Sequence, residues 1–560
     1  MLNHLAGLVG LCLIAVLCHG QGVAKERAVD VRPNILLLMA EDLSPRVGAW
    51  GDSVARTPHI DALAEAGVRY TNVFTTAGVC APSRAAMITG LYQMSFGAQH
   101  MRTSTSSLGE YYAVPDIRVR AFPELMRAAG YYTFTDDKLD YQFSGIRAGS
   151  GPFSIWDAEG RDAHWRGRDP GQPFFGLINF LETHESGVMR PGGVPHSVSH
   201  LASQRMRALA GLVSQPVTRP GDVKLPSYYP DLPEVRRDLA RHYDNIAAMD
   251  TRVGRILARL REDRLHQNTI VIWTTDHGDG LPRAKRELYD SGIHVPMVLY
   301  VPDALKARIA RDWRAPGSVD ERLVSFVDLA PTLLELAGVP APDYLHGQNL
   351  FGAARGYVHA ARDRIDEVGD RQRAVRDARF KFIRSWYPRV PGGHVLEYRD
   401  NLDMVRAMRS AYERGELDED QVRWFRPPGV EQLYDLDRDP NELRNLATDP
   451  AYSGVRERLF AELERWRNAV GDTSDMPEAR LRASLTDEGE VRTTPEPVVS
   501  VEARYVYAHS GVGASIGYRI GEQRWRLYVR PFPLIPGERV SVRAVRYGWW
   551  PSTLVEVLPD

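Results

Sequence analysis

Residues that could do chemistry gather around Gly78-Val79-Cys80-Ala81-Pro82-Ser83-Arg84-Ala85-Ala86-Met87-Ile88-Thr89-Gly90, which reads as a loop entering a short helix. The spacing predicts Cys80 at the N-cap, Pro82 in the first turn where its missing N–H is harmless, and Gly90 as a left-handed stop. Such a helix start presents unpaired N–H groups and the positive end of the helix dipole, which suits an anionic substrate. Arg84, one turn on, adds a planar fork of donors that fits a tetrahedral oxyanion. Three carboxylates and an imidazole leave two apolar runs of strand length: Glu41-Asp42 after Asn34–Ala40, and Asp276-His277 after Thr269–Thr275. Adjacent acids at a buried strand end repel unless a cation lies between them, and an oxygen-rich donor set favours Ca²⁺ or Mg²⁺. Lys138 and His184 also follow strand ends, and Lys285 comes soon after the Asp276-His277-Gly278 turn. A histidine there can act as a general acid. Taken singly, each has a plainer reading as a helix cap, a solvated lysine or an inert buried thiol. Their shared place at the carboxyl edge of one sheet argues for a common site.

The elements that must position these groups alternate. A helix from Pro58 carries Ile60, Leu63 and Ala64 on one face, and Phe122–Gly130 forms another. Tyr131–Phe134 reads as a strand leading into Asp136-Asp137-Lys138, and Pro173–Phe180 as a buried strand before Glu182-Thr183-His184. Val235–Asp263 is a long amphipathic helix, and Met297–Val301 one more strand. The pattern predicts an α/β fold, with a mostly parallel central sheet sandwiched by helices. Beyond Gly356 short strands and a helix over Val455–Val470 suggest a smaller α+β subdomain. Ser474–Pro497 is polar and proline-bearing, as in a linker, and alternating runs separated by Pro-Gly and Gly turns over Val498–Val557 suggest a small β-sandwich. The expected division is a signal peptide at 1–24, a catalytic α/β domain at 31–355, the subdomain at 356–473, a linker at 474–497 and the sandwich at 498–560.

At 560 residues the chain exceeds what one core can hold. A net charge of −2 gives no global pull toward nucleic acid or acidic membranes, so anion selectivity must be local. The apolar run Leu5–Cys18, followed by small residues, reads as a secretory leader, which implies a periplasmic or secreted protein with no transmembrane span once mature. A retained membrane anchor is the alternative reading. Two of the three cysteines, Cys12 and Cys18, lie in that leader, so Cys80 would stand alone without a disulfide. A lone thiol in an oxidising compartment is a liability unless it is buried or chemically altered.

Cys80-Ala81-Pro82-Ser83-Arg84 with Thr89-Gly90 resembles the Cys-x-Pro-Ser-Arg…Thr-Gly motif of the type I sulfatases, in the alkaline-phosphatase-like superfamily. Pro33-Asn34-Ile35…Glu41-Asp42, Thr57–Leu63, Asp276-His277-Gly278 and Leu433-Tyr434-Asp435-Leu436 keep that family's order across residues 32–470. Glu41–Pro45 and Asn445–Pro450 are most similar to the heparan N-sulfatase (sulfamidase)-like glycan sulfatases. The resemblance implies that a maturation enzyme oxidises Cys80 to formylglycine. It also implies that Glu41, Asp42, Cys80, Asp276 and His277 hold one Ca²⁺, and that Arg84, Lys138 and Lys285 stabilise the sulfuryl group. His184 is expected to protonate the leaving atom. Lys138-Leu139-Asp140 stands where many members have Lys-x-His, so Asp140 is the expected substitute base, and Glu41 replaces the commoner Asp. His100, Arg102 and His164 are the expected substrate contacts. The last segment resembles small β-sandwiches attached to glycan hydrolases. The expected activity is hydrolysis of sulfate esters or N-sulfo groups on sulfated saccharides. A phosphatase or phosphonate monoester hydrolase of the same superfamily, or a non-catalytic glycan-binding relative, is the alternative.

Overall fold

A computed structural model describes residues 32–309 and 311–558. The expected leader at 1–24, with Cys12 and Cys18, lies outside the described residues. Eight strands build the central sheet: β1 (Asn34–Ala40), β2 (Val68–Phe74), β3 (Tyr132–Thr135), β4 (Ala158–Glu159), β5 (Phe174–Phe180), β6 (Thr269–Thr275), β7 (His294–Tyr300) and β8 (Val319–Ser325). Their order is β4-β3-β5-β1-β6-β7-β2-β8. β1 lies between β5 and β6, parallel to both, which brings the carboxyl ends of all three to one edge. β7 alone runs antiparallel to its neighbours β6 and β2.

The sequence of β1 explains its place. Every residue in it is buried, and successive side chains face opposite sides. Ile35, Leu37 and Met39 enter one core, and Leu36, Leu38 and Ala40 the other. At about 1.5–3 kcal/mol for each large side chain removed from water, a strand without an exposed face stays fixed only between two helix layers. Helices α1 (Pro58–Ala66) and α4 (Pro233–Glu262) cover the second core, while α2 (Cys80–Thr89) and α3 (Phe122–Ala128) cover the first.

The structure corrects one local expectation. Cys80 is the first residue of α2 rather than its cap; Val79, extended at φ −154° and ψ 151°, holds the N-cap position. Val79 accepts a bond from Ser83 N at 3.3 Å, which starts the helix one residue early. Gly90 ends it as expected, at φ 70°.

Beyond the main sheet, β9 (Val358–Arg362), β10 (Gln372–Arg376), β11 (Phe380–Ser385) and β12 (Glu431–Asp435) form an antiparallel sheet. The helix Ser453–Val470 packs Leu459, Leu463 and Trp466 onto it. Residues 474–497 are anchored rather than loose chain: they carry the helix Glu478–Leu485, where Leu481 is buried and Glu478 pairs with Arg364 at 2.6 Å. Residues 498–557 fold into a three-stranded and a four-stranded antiparallel sheet. These two sheets share a core of Val506, Ile516, Phe532, Val540 and Val542.

Candidate active site

The carboxyl ends of β1 and β6 hold the acids, and α2 is tied onto them. Asp276 N donates to Ala40 O at 3.1 Å, Leu43 N to His277 O at 3.1 Å, and Ser83 Oγ to Asp276 O at 2.6 Å. Asp42 sits at φ 51°, a left-handed conformation uncommon outside glycine. That twist sends the two adjacent carboxylates apart. Glu41 meets Lys138 Nζ at 2.8 Å and Arg84 at 3.2 Å; Asp42 meets Lys285 Nζ at 2.5 Å and His277 Nε2 at 3.0 Å. Arg84 also reaches Asp276 at 3.0 Å and Asn179 Oδ1 at 2.8 Å. Cys80 Sγ lies 3.3 Å from His277 Nε2 and 4.0 Å from Asp42 Oδ1.

All of these groups are withdrawn from water, so charge balance decides their protonation. Burial raises a carboxyl, but at Asp42 the Lys285 ammonium and the His184 and His277 imidazoles outweigh it and hold the group well below its usual range. Glu41 is raised by burial and by neighbouring Asp276, against the pull of Lys138. Burial would lower His277, yet Asp276 and Asp42 push it up to about 10. His184 goes the other way: burial and the adjacent Lys285 hold it well below its ordinary value, so it is neutral.

The donor set fits a hard cation. One ligand atom from each of Asp42, Cys80, Asp276 and His277 lies within 4.8 Å of the others, and Glu41, Asp42 and His184 form a second such group. Glu41 Oε2 is buried without a hydrogen-bond partner, an acceptor with nothing to accept. His277 Nδ1 lies 2.9 Å from Gly278 O, the second-sphere bond that aims Nε2 at the centre. The proton on that imidazole answers the same surplus of negative charge that a cation would.

A cavity of about 350 Å³ opens beside this cluster, lined by Glu41, Lys138, His184, Arg102 and Tyr398 among others. Arg102 thus reaches the wall, held by two bonds of 3.1 Å to Asp140. Asp140 lies 3.9 Å from Lys138, and despite burial Arg102 and Lys138 keep its carboxyl below the usual range. The structure does not bring His100 or His164 to the cavity. His100 is buried 3.8 Å from Glu478, and burial lowers it to about 4. His164 caps the turn Trp165–Gly167, accepting from Arg166 N and packing on Trp165 at 3.9 Å. Both histidines face their own local partners, which composition alone did not reveal.

Several supporting residues were not legible in the sequence. Asn179 orients Arg84. Glu185 pairs with Arg286 through two bonds of 2.8 and 3.0 Å, and its N–H donates to Asp42 at 2.7 Å. Asp279 accepts from Ser44 N and from His242, bracing the turns after β1 and β6 against each other. The only signal for Glu185 and Arg286 is adjacency to His184 and Lys285.

The sulfatase family profile matches residues 33–150 and 163–339, and a profile described as "N-sulphoglucosamine sulphohydrolase, C-terminal" matches residues 283–418. An ulvan-active sulfatase of Formosa agariphila is 37% identical, over 95% of this chain and 92% of its own length. The chain belongs to the sulfatase family. As a sulfatase it is a sulfuric ester hydrolase, and its other relatives agree. Human N-sulphoglucosamine sulphohydrolase is 27% identical, over 78% of this chain and 89% of the relative. Among solved structures, a 2-O GAG sulfatase superposes with a TM-score of 0.55 at 20% identity, covering 79% of this chain and 94% of that one. The phosphonate monoester hydrolase of Agrobacterium radiobacter gives 0.52 at 20% identity, covering 78% and 96%. At that identity both show that this sulfatase shares the alkaline-phosphatase-like fold. Among the described residues no helix of the sulfatase is long and apolar enough to cross a membrane.

Proposed function

We propose that the protein hydrolyses sulfate esters or N-sulfo groups of sulfated carbohydrates, with Cys80 converted to formylglycine and Ca²⁺ held by Glu41, Asp42, Asp276, His277 and residue 80. The observation that carries this reading is the convergence of Cys80 Sγ, His277 Nε2 and Asp42 at 3.0–4.0 Å, ringed by Arg84, Lys138 and Lys285. The names of the ulvan-active and N-sulphoglucosamine relatives support a sulfated saccharide as substrate. The same reading includes export, on the strength of the leader.

A bound Ca²⁺ supplies Lewis acidity, lowering the pKa of an attacking hydroxyl and neutralising sulfate oxygens. Formylglycine at position 80 supplies, as its hydrate, two hydroxyls on one carbon, one to attack sulfur and one whose deprotonation expels sulfate. The rest falls to side chains. Against burial, Cys80 and Glu41 raise Lys138 and Asp42 raises Lys285, so both stay charged and hold the sulfuryl oxygens. Arg84 keeps Glu41 and Asp276 in register beneath them. His184, neutral beside Lys285, gains a proton when the substrate's negative charge enters the cavity, and gives it to the departing oxygen or nitrogen as the bond to sulfur breaks. Asp140 is chelated by Arg102 and is a weak base; its role in this reading is to orient Arg102 and Lys138. In balance, one water is consumed, the bond between sulfur and the sugar heteroatom breaks, and sulfate and a sugar hydroxyl or amine are released.

The test is mass spectrometry of the tryptic peptide containing Cys80 from protein made with its maturation enzyme, alongside turnover of an aryl sulfate and an aryl phosphate. An aldehyde at residue 80 and faster hydrolysis of the sulfate are expected. An unmodified thiol in fully active enzyme, or faster phosphate release, overturns the reading.

A further inference from the structure

The cavity beside the catalytic cluster carries more positive charge than one sulfate ester needs. Lys138, at its inner end, is paired with Glu41. Arg147 lies across a one-residue antiparallel bridge from Lys138, and side chains paired across such a bridge start about 5 Å apart on one face. Arg147 is half exposed and bonded to Asp137 at 2.8 Å. Arg161 follows β4, where Gly160 N donates to Thr135 O and so keeps this segment alongside the strand that leads to Lys138. Arg161 lines the same cavity, is exposed, and has no hydrogen-bond or salt-bridge partner among the described residues. Of the less exposed cations on this wall, Lys138 and Arg102 are matched by acids and Arg207 by backbone carbonyls, whereas the exposed part holds one guanidinium paired with Asp137 and one that is free.

We propose that Arg147 and Arg161 form an outer anion subsite, so that the preferred substrate is a sulfated saccharide bearing a second acidic group beside the scissile sulfate. The second group is a carboxylate or a further sulfate, since either offers the planar or tetrahedral oxygens that a guanidinium fork binds. This rests on the hydrolase reading above and deepens it. A single exposed ion pair contributes little, but two guanidiniums lining one cavity and sharing an anion raise its affinity by roughly tenfold.

The experiment compares kcat/KM of the matured enzyme on four probes: an aryl sulfate, a sulfated disaccharide with a neighbouring uronate, the same disaccharide with its carboxyl reduced to the alcohol, and the reduced form carrying a second sulfate. Wild-type enzyme is expected to favour a doubly charged disaccharide over the reduced one by about tenfold, mainly through KM. The favoured arm, uronate or second sulfate, identifies the group. Arg161→Ala is expected to remove most of that preference, Arg161→Lys to keep much of it, and Arg161→Glu to reverse it. Equal rates on reduced and doubly charged probes, or a preference unchanged in Arg161→Ala and Arg161→Glu, overturn the subsite while leaving the hydrolase reading standing. Wild-type enzyme that cleaves no sulfate at all overturns both.

Discussion

Cys80 and Arg84 are neighbours on one helix with different duties, and substitution separates them. Cys80 makes no bond that the fold depends on, so Cys80→Ala is expected to abolish sulfate release while thermal stability shifts by less than about 1 kcal/mol. Arg84 is fully buried against Glu41 and Asp276, and removing one partner of a buried ion pair strands the other charge. Arg84→Ala is therefore expected to cost about 3–5 kcal/mol of stability as well as activity, read by denaturant unfolding. Asp238 gives a residue-scale test in pH. Burial, against Arg241 and with Asp403 adding, raises its carboxyl to about 7. A folded-state value above the unfolded one means that its contribution to stability is complete below about pH 4 and is lost as pH rises through about 7. Asp238→Asn is expected to flatten that decline, measured as the unfolding midpoint across the same range.

At the scale of elements, the site depends on two turns that leave parallel strands and touch without side chains between them. Gly78 lies against the Glu287 carbonyl, and Gly278 against the Ser291 carbonyl; a Cβ at either position overlaps backbone. Gly278→Ala is expected to cost about 1–3 kcal/mol and to displace His277, lowering turnover more than substrate affinity. Steady-state kinetics together with a thermal scan check both parts. Strands β1, β3, β5, β6 and β7 and the long helix Pro233–Glu262 followed from apolar runs and periodicity, and the Gly90 stop from its glycine, because those signals are local. Strands β2, β4 and β8 did not, since β2 and β8 are interrupted by polar residues and β4 is two residues long. The reversed direction of β7 did not, since an apolar run reads the same both ways. The shift of Cys80 from the cap to the first turn also escaped, because cysteine carries no strong capping preference to mark the boundary.

At the scale of the whole molecule, the terminal two-sheet unit braces the segment that carries one wall of the cavity. Glu124 is buried and accepts from Ser154 Oγ at 2.5 Å and Tyr547 OH at 2.6 Å, with Ser515 as a further donor. Phe143 stacks on Tyr547 at 4.8 Å, and Arg543 lies over Phe153 at 4.1 Å. The stretch from Lys138 to Arg161, which bears Arg147, is thus held from behind by residues nearly four hundred positions later. Tyr547→Phe leaves the Glu124 carboxylate one donor short and is expected to cost about 1–3 kcal/mol in thermal unfolding. It is also expected to weaken saccharide turnover more than turnover of a small aryl sulfate, since the wall that loosens contacts the larger substrate.

The sequence by itself determined the α/β sheet, the motif around Cys80 and the acids at the ends of β1 and β6, because each is written in contiguous residues whose types and order fix their local chemistry. Only the tertiary structure decided that His100 and His164 have local partners and do not line the cavity, that Asp140 is bonded to Arg102, and that Asn179, Glu185 and Asp279 support the cluster. Those roles arise from contacts between segments distant along the chain. A charged side chain takes its partner from what folding places within about 3 Å of it, and one-dimensional spacing does not encode that distance.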